Sequence, residues 1–90
     1  MKTYAWGCGR QTNTLLYFTY GRGSASTFDE ALTRISDCLG LHREDIVACH
    51  HHDDSPIHSF YTQKDVTYQG DKIQAKMIFM VISERTRGGF

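Results

Sequence analysis

Phe28, Ala31, Leu32, Ile35 and Leu39 recur at i, i+3, i+4, i+7 and i+11, which is one stripe along a helix of 3.6 residues per turn. Asp29, Glu30, Thr33, Arg34, Ser36 and Asp37 fall on the other side, and Cys38 sits at the edge of the stripe. Thr27-Phe28-Asp29-Glu30 has the form of a capping box, in which the Thr hydroxyl takes the N3 amide and Glu30 reaches back to the cap amide. Gly40 supplies a left-handed stop, and Leu41 is placed to fold back on the last turn. The pattern predicts an amphipathic helix over 27–39.

The other apolar runs have strand character. Thr3 to Trp6 is a first strand, followed by the flexible Gly7-Cys8-Gly9. Thr14 to Tyr20 is aromatic and β-branched, which predicts a second strand forming a hairpin with the first around Gly9 to Asn13. Gly21 to Ser26 is a loop by composition. After the helix, Ile46-Val47-Ala48-Cys49 predicts a short strand and His50 to Pro56 a loop. Ile57 to Gln69 predicts one long or bulged strand, with a two-residue turn at Gly70-Asp71 and a returning strand from Lys72 to Glu84. Pairing Gln69 with Lys72 puts Val66 opposite Ala75. From Met77 onward both pleat faces are apolar, so the last strand is expected at the centre of the sheet. The predicted architecture is α+β, one helix on a mostly antiparallel sheet of four or five strands in the order ββαβββ. It forms a single domain over 1–84 with a tail over 85–90.

Charge narrows the partners. Ten Lys plus Arg balance ten Asp plus Glu, whereas proteins that grip nucleic-acid backbone usually carry a basic excess. Cys8, Cys38 and Cys49 have no spacing of a disulfide framework or zinc motif. The first residues hold no apolar run of signal-peptide length, and Met77 to Ile82 is far too short to span a bilayer. A reducing, cytoplasmic setting is the expectation.

Three stretches carry candidate chemistry. Cys49-His50-His51-His52-Asp53-Asp54 with His58 offers imidazole and carboxylate ligands, and His50, His52 and His58 are the candidates for zinc. The same histidines form a candidate pH switch. Arg22, Ser24 and Ser26, between a strand and a helix start, are candidates for an anion, although the segment matches neither the Walker loop nor the Rossmann glycine pattern. No nucleophile, base and orienting group assemble in the pattern, which favours binding over catalysis.

Tyr4, Trp6, Tyr17, Phe18, Tyr20, Phe60, Tyr61 and Tyr68 all fall on predicted strands. One helix is too narrow to cover them, and Tyr, Trp and Arg dominate interface hot spots. The candidate contact residues are Tyr61 on the sheet, His51, Asp53 and Asp54 in the loop, and Asp29, Thr33 and Asp37 on the outer face of the helix. A homodimer is compatible with an uncovered face or edge.

Thr27-Phe28-Asp29-Glu30-Ala31-Leu32, then Ile46-Val47-Ala48-Cys49 and a terminal hairpin, give a build that resembles small accessory proteins of phages and mobile elements, including anti-CRISPR inhibitors. The resemblance covers the whole chain in outline. It implies a non-enzymatic protein that blocks or sequesters a larger host defence complex. The alternatives are a nucleic-acid or phosphate binder using Arg22, Lys64, Lys72, Arg85 and Arg87, and a small metal-binding module built on the histidine loop.

Overall fold

The computed structural model describes residues 3–11 and 18–85. The helix forms where its stripe predicts. Thr27 is extended and caps α1 (Phe28–Leu39), its Oγ1 accepting from the Glu30 N–H at 3.0 Å. The Glu30 carboxylate reaches one residue further back than the expected box, accepting from the Ser26 N–H at 3.1 Å. At the far end Gly40 takes φ 67°, and its N–H and that of Leu41 both bond to the Ser36 carbonyl. This Schellman-type closure turns Leu41 onto the core.

Five strands form one antiparallel sheet: β1 (Thr3–Arg10), β2 (Gly21–Ala25), β3 (Ile46–Ala48), β4 (Ile57–Thr62) and β7 (Ile78–Arg85). Their spatial order is β2-β1-β7-β4-β3. The remaining two, β5 (Val66–Tyr68) and β6 (Asp71–Ile73), make a separate hairpin. The class is α+β as expected, and the last strand is central as expected, flanked by β1 and β4.

Several boundaries differ from the sequence pattern, each for a physical reason. Gly21 to Ala25 is a strand, not a loop. Its small residues let other groups approach closely: a Cβ on Gly21 would stand 2.5 Å from Cys38 Sγ. This strand, and not the segment before it, is the antiparallel partner of β1, with Cys8 opposite Gly21. Of the predicted strand over 14–20, residues 14–17 lie outside the described residues, and Phe18 to Tyr20 are not in a strand. The long strand from Ile57 breaks after Thr62, where the Thr62 hydroxyl accepts the Lys64 N–H at 3.2 Å. Its return breaks too, at a 3₁₀ turn over Ala75–Met77 that begins with the Ala75 N–H donating to Asp65 Oδ1 at 3.1 Å. One expected hairpin therefore becomes two sheets' worth of strands.

The tight turn is Gln69-Gly70, one residue earlier than expected, with φ 51° and 86°. Two consecutive positive φ values are the mark of a type I′ hairpin turn. Val66 consequently faces Ile73 instead of Ala75. That shift is two residues, so every side chain keeps its face. Of the predicted tail, Arg85 belongs to β7 and pairs with Thr3, and 86–90 lie outside the described residues.

The helix packs against β1, β2 and β7. Trp6, Cys8, Phe60, Met80 and Ile82 meet Ala31, Ile35 and Leu39 there, with Val66 and Ile73 of the hairpin closing one end. At the helix N-terminus, Phe28 meets Tyr4, His58 and Phe60 at ring separations of 6.0, 5.0 and 5.9 Å. Ile35 is completely buried at the centre of the stripe. Ile35→Ala is expected to cost about 3 kcal/mol through lost burial and a residual cavity, and exposed Thr33→Ala less than about 0.5 kcal/mol, both read from urea unfolding. Gln69→Asn is expected to raise stability by a few tenths of a kcal/mol, on the order of 0.5, because Asn tolerates the left-handed region better than Gln.

Candidate functional site

The candidate site follows from strand parity. In β4, Phe60 points to the helix, so His58 and Thr62 do too, and Ile57, Ser59 and Tyr61 point away. Registration carries that alternation across the sheet. Ser59 stands beside Val81, Val81 beside Gly7, and Gly7 beside Arg22. The face opposite the helix thus presents Val47, Ile57, Tyr61, Phe79 and Val81 with Arg22 and Ser24 at its β2 end.

This face is half covered by the chain itself. Phe18 lies flat over Gly7, where an added Cβ would come within 2.3 Å of its ring, and meets Phe79 at a ring separation of 5.7 Å. Among the described residues the β4 half is open. Ile57 is 50% exposed and Tyr61 46%, the large hydrophobic residues of the described chain that stand most in solvent. Beside Tyr61 runs an open groove of about 480 Å³, lined by Gln11, Cys49, Ser59, Lys76, Phe79 and Val81. A second groove of about 440 Å³ lies between Phe18 and the β2 residues Arg22 and Ser24.

The other predicted positions disperse. Asp29, Thr33 and Asp37 are exposed along one side of α1, but Arg43 reaches over two of them. Its guanidinium pairs with Asp29 Oδ1 at 2.9 Å and donates to Thr33 Oγ1 at 3.4 Å. The face is therefore less acidic than its sequence implies. Of the anion candidates Arg22, Ser24 and Ser26, the first two line one groove. Arg22 and Ser24 lie on the strand face turned from the helix, and the Ser26 amide is already taken by Glu30. The helix start has supplied its own carboxylate. Of the other basic candidates, Lys64 pairs with Asp45 at 3.4 Å and Lys72 with Asp65 at 3.8 Å.

The histidine loop orders itself in pairs. His50 and His52 meet edge to face at 5.3 Å. His51 stacks parallel on His58 at 3.9 Å and 8°, and its Nε2 lies 2.7 Å from the Ser55 carbonyl oxygen. His58 is thus held between His51 and Phe28, apart from His50 and His52, because parity sends it to the helix side of β4. The predicted metal set of His50, His52 and His58 is not brought together. Among the described residues no group of three or more His, Cys, Asp or Glu is placed to hold a metal ion. Asp53 and Asp54 are exposed at the turn of the same loop.

Ile57 is the residue the sequence pattern passed over. Its signal is the alternation itself: once Phe60 is assigned to the core, Ile57 and Tyr61 are forced outward together. Compared with protein families, curated proteins and solved structures, the chain matches none. Among the described residues no helix is long and apolar enough to cross a membrane.

Burial, and secondarily the charge on His51, hold the His58 pKa below its ordinary 6.5, with Glu84 opposing. The folded chain then holds that proton less tightly than the unfolded chain. The stability contributed by neutral His58 is full above about pH 6.5 and is lost as the pH falls through that value toward the folded pKa. Urea midpoints measured from pH 8 to pH 5 are expected to fall on the acid side, and His58→Phe is expected to flatten the curve.

Proposed function

We propose that the protein is a non-enzymatic interaction module that docks another protein on the open half of its sheet, around Tyr61 and Ile57. The observation that carries this reading is the pair itself. Two large hydrophobic side chains on one strand, four residues apart, stand about half in water on the face that Phe18 leaves uncovered. Packing such side chains outward has a solubility cost, and an aromatic anchor beside a groove is the arrangement that interface hot spots use. The face is built on paired strands with a fixed register, so it is preorganised and loses little freedom on binding.

The balance of charge supports a protein partner over nucleic acid, since ten basic residues meet ten acidic ones and two of the basic candidates are engaged in ion pairs. Occupying a surface of a larger complex requires no catalytic group. That is how the small phage-type inhibitors of host defence, which this build resembles, would act, and the inhibitor role is proposed on that basis. A second copy of the chain is the competing occupant of the same face.

A photo-crosslinking amino acid at position 61 is expected to capture a protein partner in the native host, and one at position 33 is expected not to. Capture from position 33 instead would move the interface to the helix and defeat the proposal. Tyr61→Ala is expected to weaken the complex by about 2 kcal/mol, roughly thirtyfold, with little change in the urea midpoint. Sedimentation of the pure protein over a concentration series separates a dimer from a heterologous complex.

A further inference from the structure

The two interior cysteines come together through the glycine between them. Cys8 on β1 stands directly opposite Gly21 on β2, on the helix side of the sheet. Cys38, in the last turn of α1, puts its sulfur in the space that a Gly21 side chain would fill, 2.5 Å from the ideal Cβ position. Directly opposed Cβ positions on antiparallel strands lie about 5 Å apart. The two sulfurs are therefore neighbours, close enough for Cys38 to help push the Cys8 pKa up. Cys38 in turn donates to the Tyr20 carbonyl oxygen at 2.9 Å. Both thiols are free, Cys8 fully buried and Cys38 partly exposed.

We infer that Cys8 and Cys38 are a modification site, closed by a hydroperoxide into an internal disulfide that ties the end of α1 to β1. The chemistry divides between them by exposure. Cys38, the less buried of the two, attacks the distal peroxide oxygen with its sulfur, the O–O bond breaks, and water or an alcohol leaves while Cys38 becomes a sulfenic acid. The Cys8 sulfur then attacks the Cys38 sulfur. The S–O bond breaks, the hydroxide departs with the Cys8 proton as water, and the S–S bond forms. Two thiols and one hydrogen peroxide give one disulfide and two waters.

Two features of the surroundings suit this step. Burial, with the neighbouring Cys38, pushes the Cys8 thiol pKa well up, so Cys8 is not the sulfur that meets an outside oxidant, and in its attack on Cys38 it gives up its proton to the departing hydroxide in the same step. The Tyr20 carbonyl also accepts from the Tyr68 hydroxyl at 3.2 Å. When the Cys38 proton is lost, that oxygen keeps a partner and no buried acceptor is orphaned. Cys49, exposed on the other side of the molecule, is outside the pair and serves as an internal reference.

The test oxidises the reduced protein with equimolar hydrogen peroxide, unfolds it, and alkylates the remaining thiols before peptide mapping. The expected monomer has Cys8 linked to Cys38. After reduction of a thermal sample with dithiothreitol, the gain in Tm, on the order of 10 °C for a closed loop of about thirty residues, is expected to disappear. Cys38→Ser should show neither linkage nor gain. Recovery of free Cys8 with Cys38 as sulfinic acid would overturn the inference, since it would mean that the buried sulfur cannot reach its neighbour. So would three alkylated thiols, or a disulfide made only through Cys49 between two chains.

Discussion

The pairing of β7 with β1 on one side and β4 on the other decides most of what this molecule presents. Met80 stands between Cys8 and Phe60, and Ile82 between Trp6 and His58. Those rows are the floor on which the helix lies. Because side chains alternate along each strand, fixing Met80 and Ile82 inward fixes Phe79 and Val81 outward. It does the same to Ile57 and Tyr61 through β4. A slip of one residue in the β7–β4 ladder would bury Tyr61 and expose Phe60, so the open face and the core are two results of one registration.

A single helix can cover only one side of that floor, and the chain meets the resulting excess unevenly. Phe18 is folded back over Gly7 and Phe79, which takes care of the β1 side. Nothing among the described residues does the same for Ile57 and Tyr61. On the helix side of β4, His51 stacks on His58, which meets Phe28 edge to face, and the pair extends the core's edge. The residues that look most chemical in the sequence are thus partly structural, and the least conspicuous pair is the one left in solvent.

The helix was legible almost to the residue, because cap, stripe and stop all agree and all act locally. The central place of the last strand was legible from its two apolar faces. What the pattern missed depends on contacts distant in sequence. Gly21-Arg22-Gly23-Ser24-Ala25 has the composition of a loop, and becomes a strand because β1 pairs with it and Cys38 fills the space above Gly21. The breaks after Thr62 and at Ala75 rest on side-chain bonds to backbone amides, which no alternation of hydrophobic residues signals. The candidate site was legible in part. Tyr61 was named and Ile57 was not, since their shared outward face depends on knowing where Phe60 goes. The histidine set comes apart because parity sends His58 to the helix side of β4, and the Ser26 amide at the helix start is already met by the Glu30 carboxylate.

The order of the strands also governs how the protein can be made. Of the described strands, the one at the middle of the sheet leaves the ribosome last. Until residues 78–85 have emerged, β1 and β4 have no common neighbour, and the apolar stripe of α1 has only a fragment of its floor. Contacts between segments so far apart in the chain form slowly, and a nascent chain of this kind exposes unpaired strand edges throughout elongation. Assembly of this sheet on the nascent chain therefore waits for one step, with the central strand inserting between partners already present on both sides.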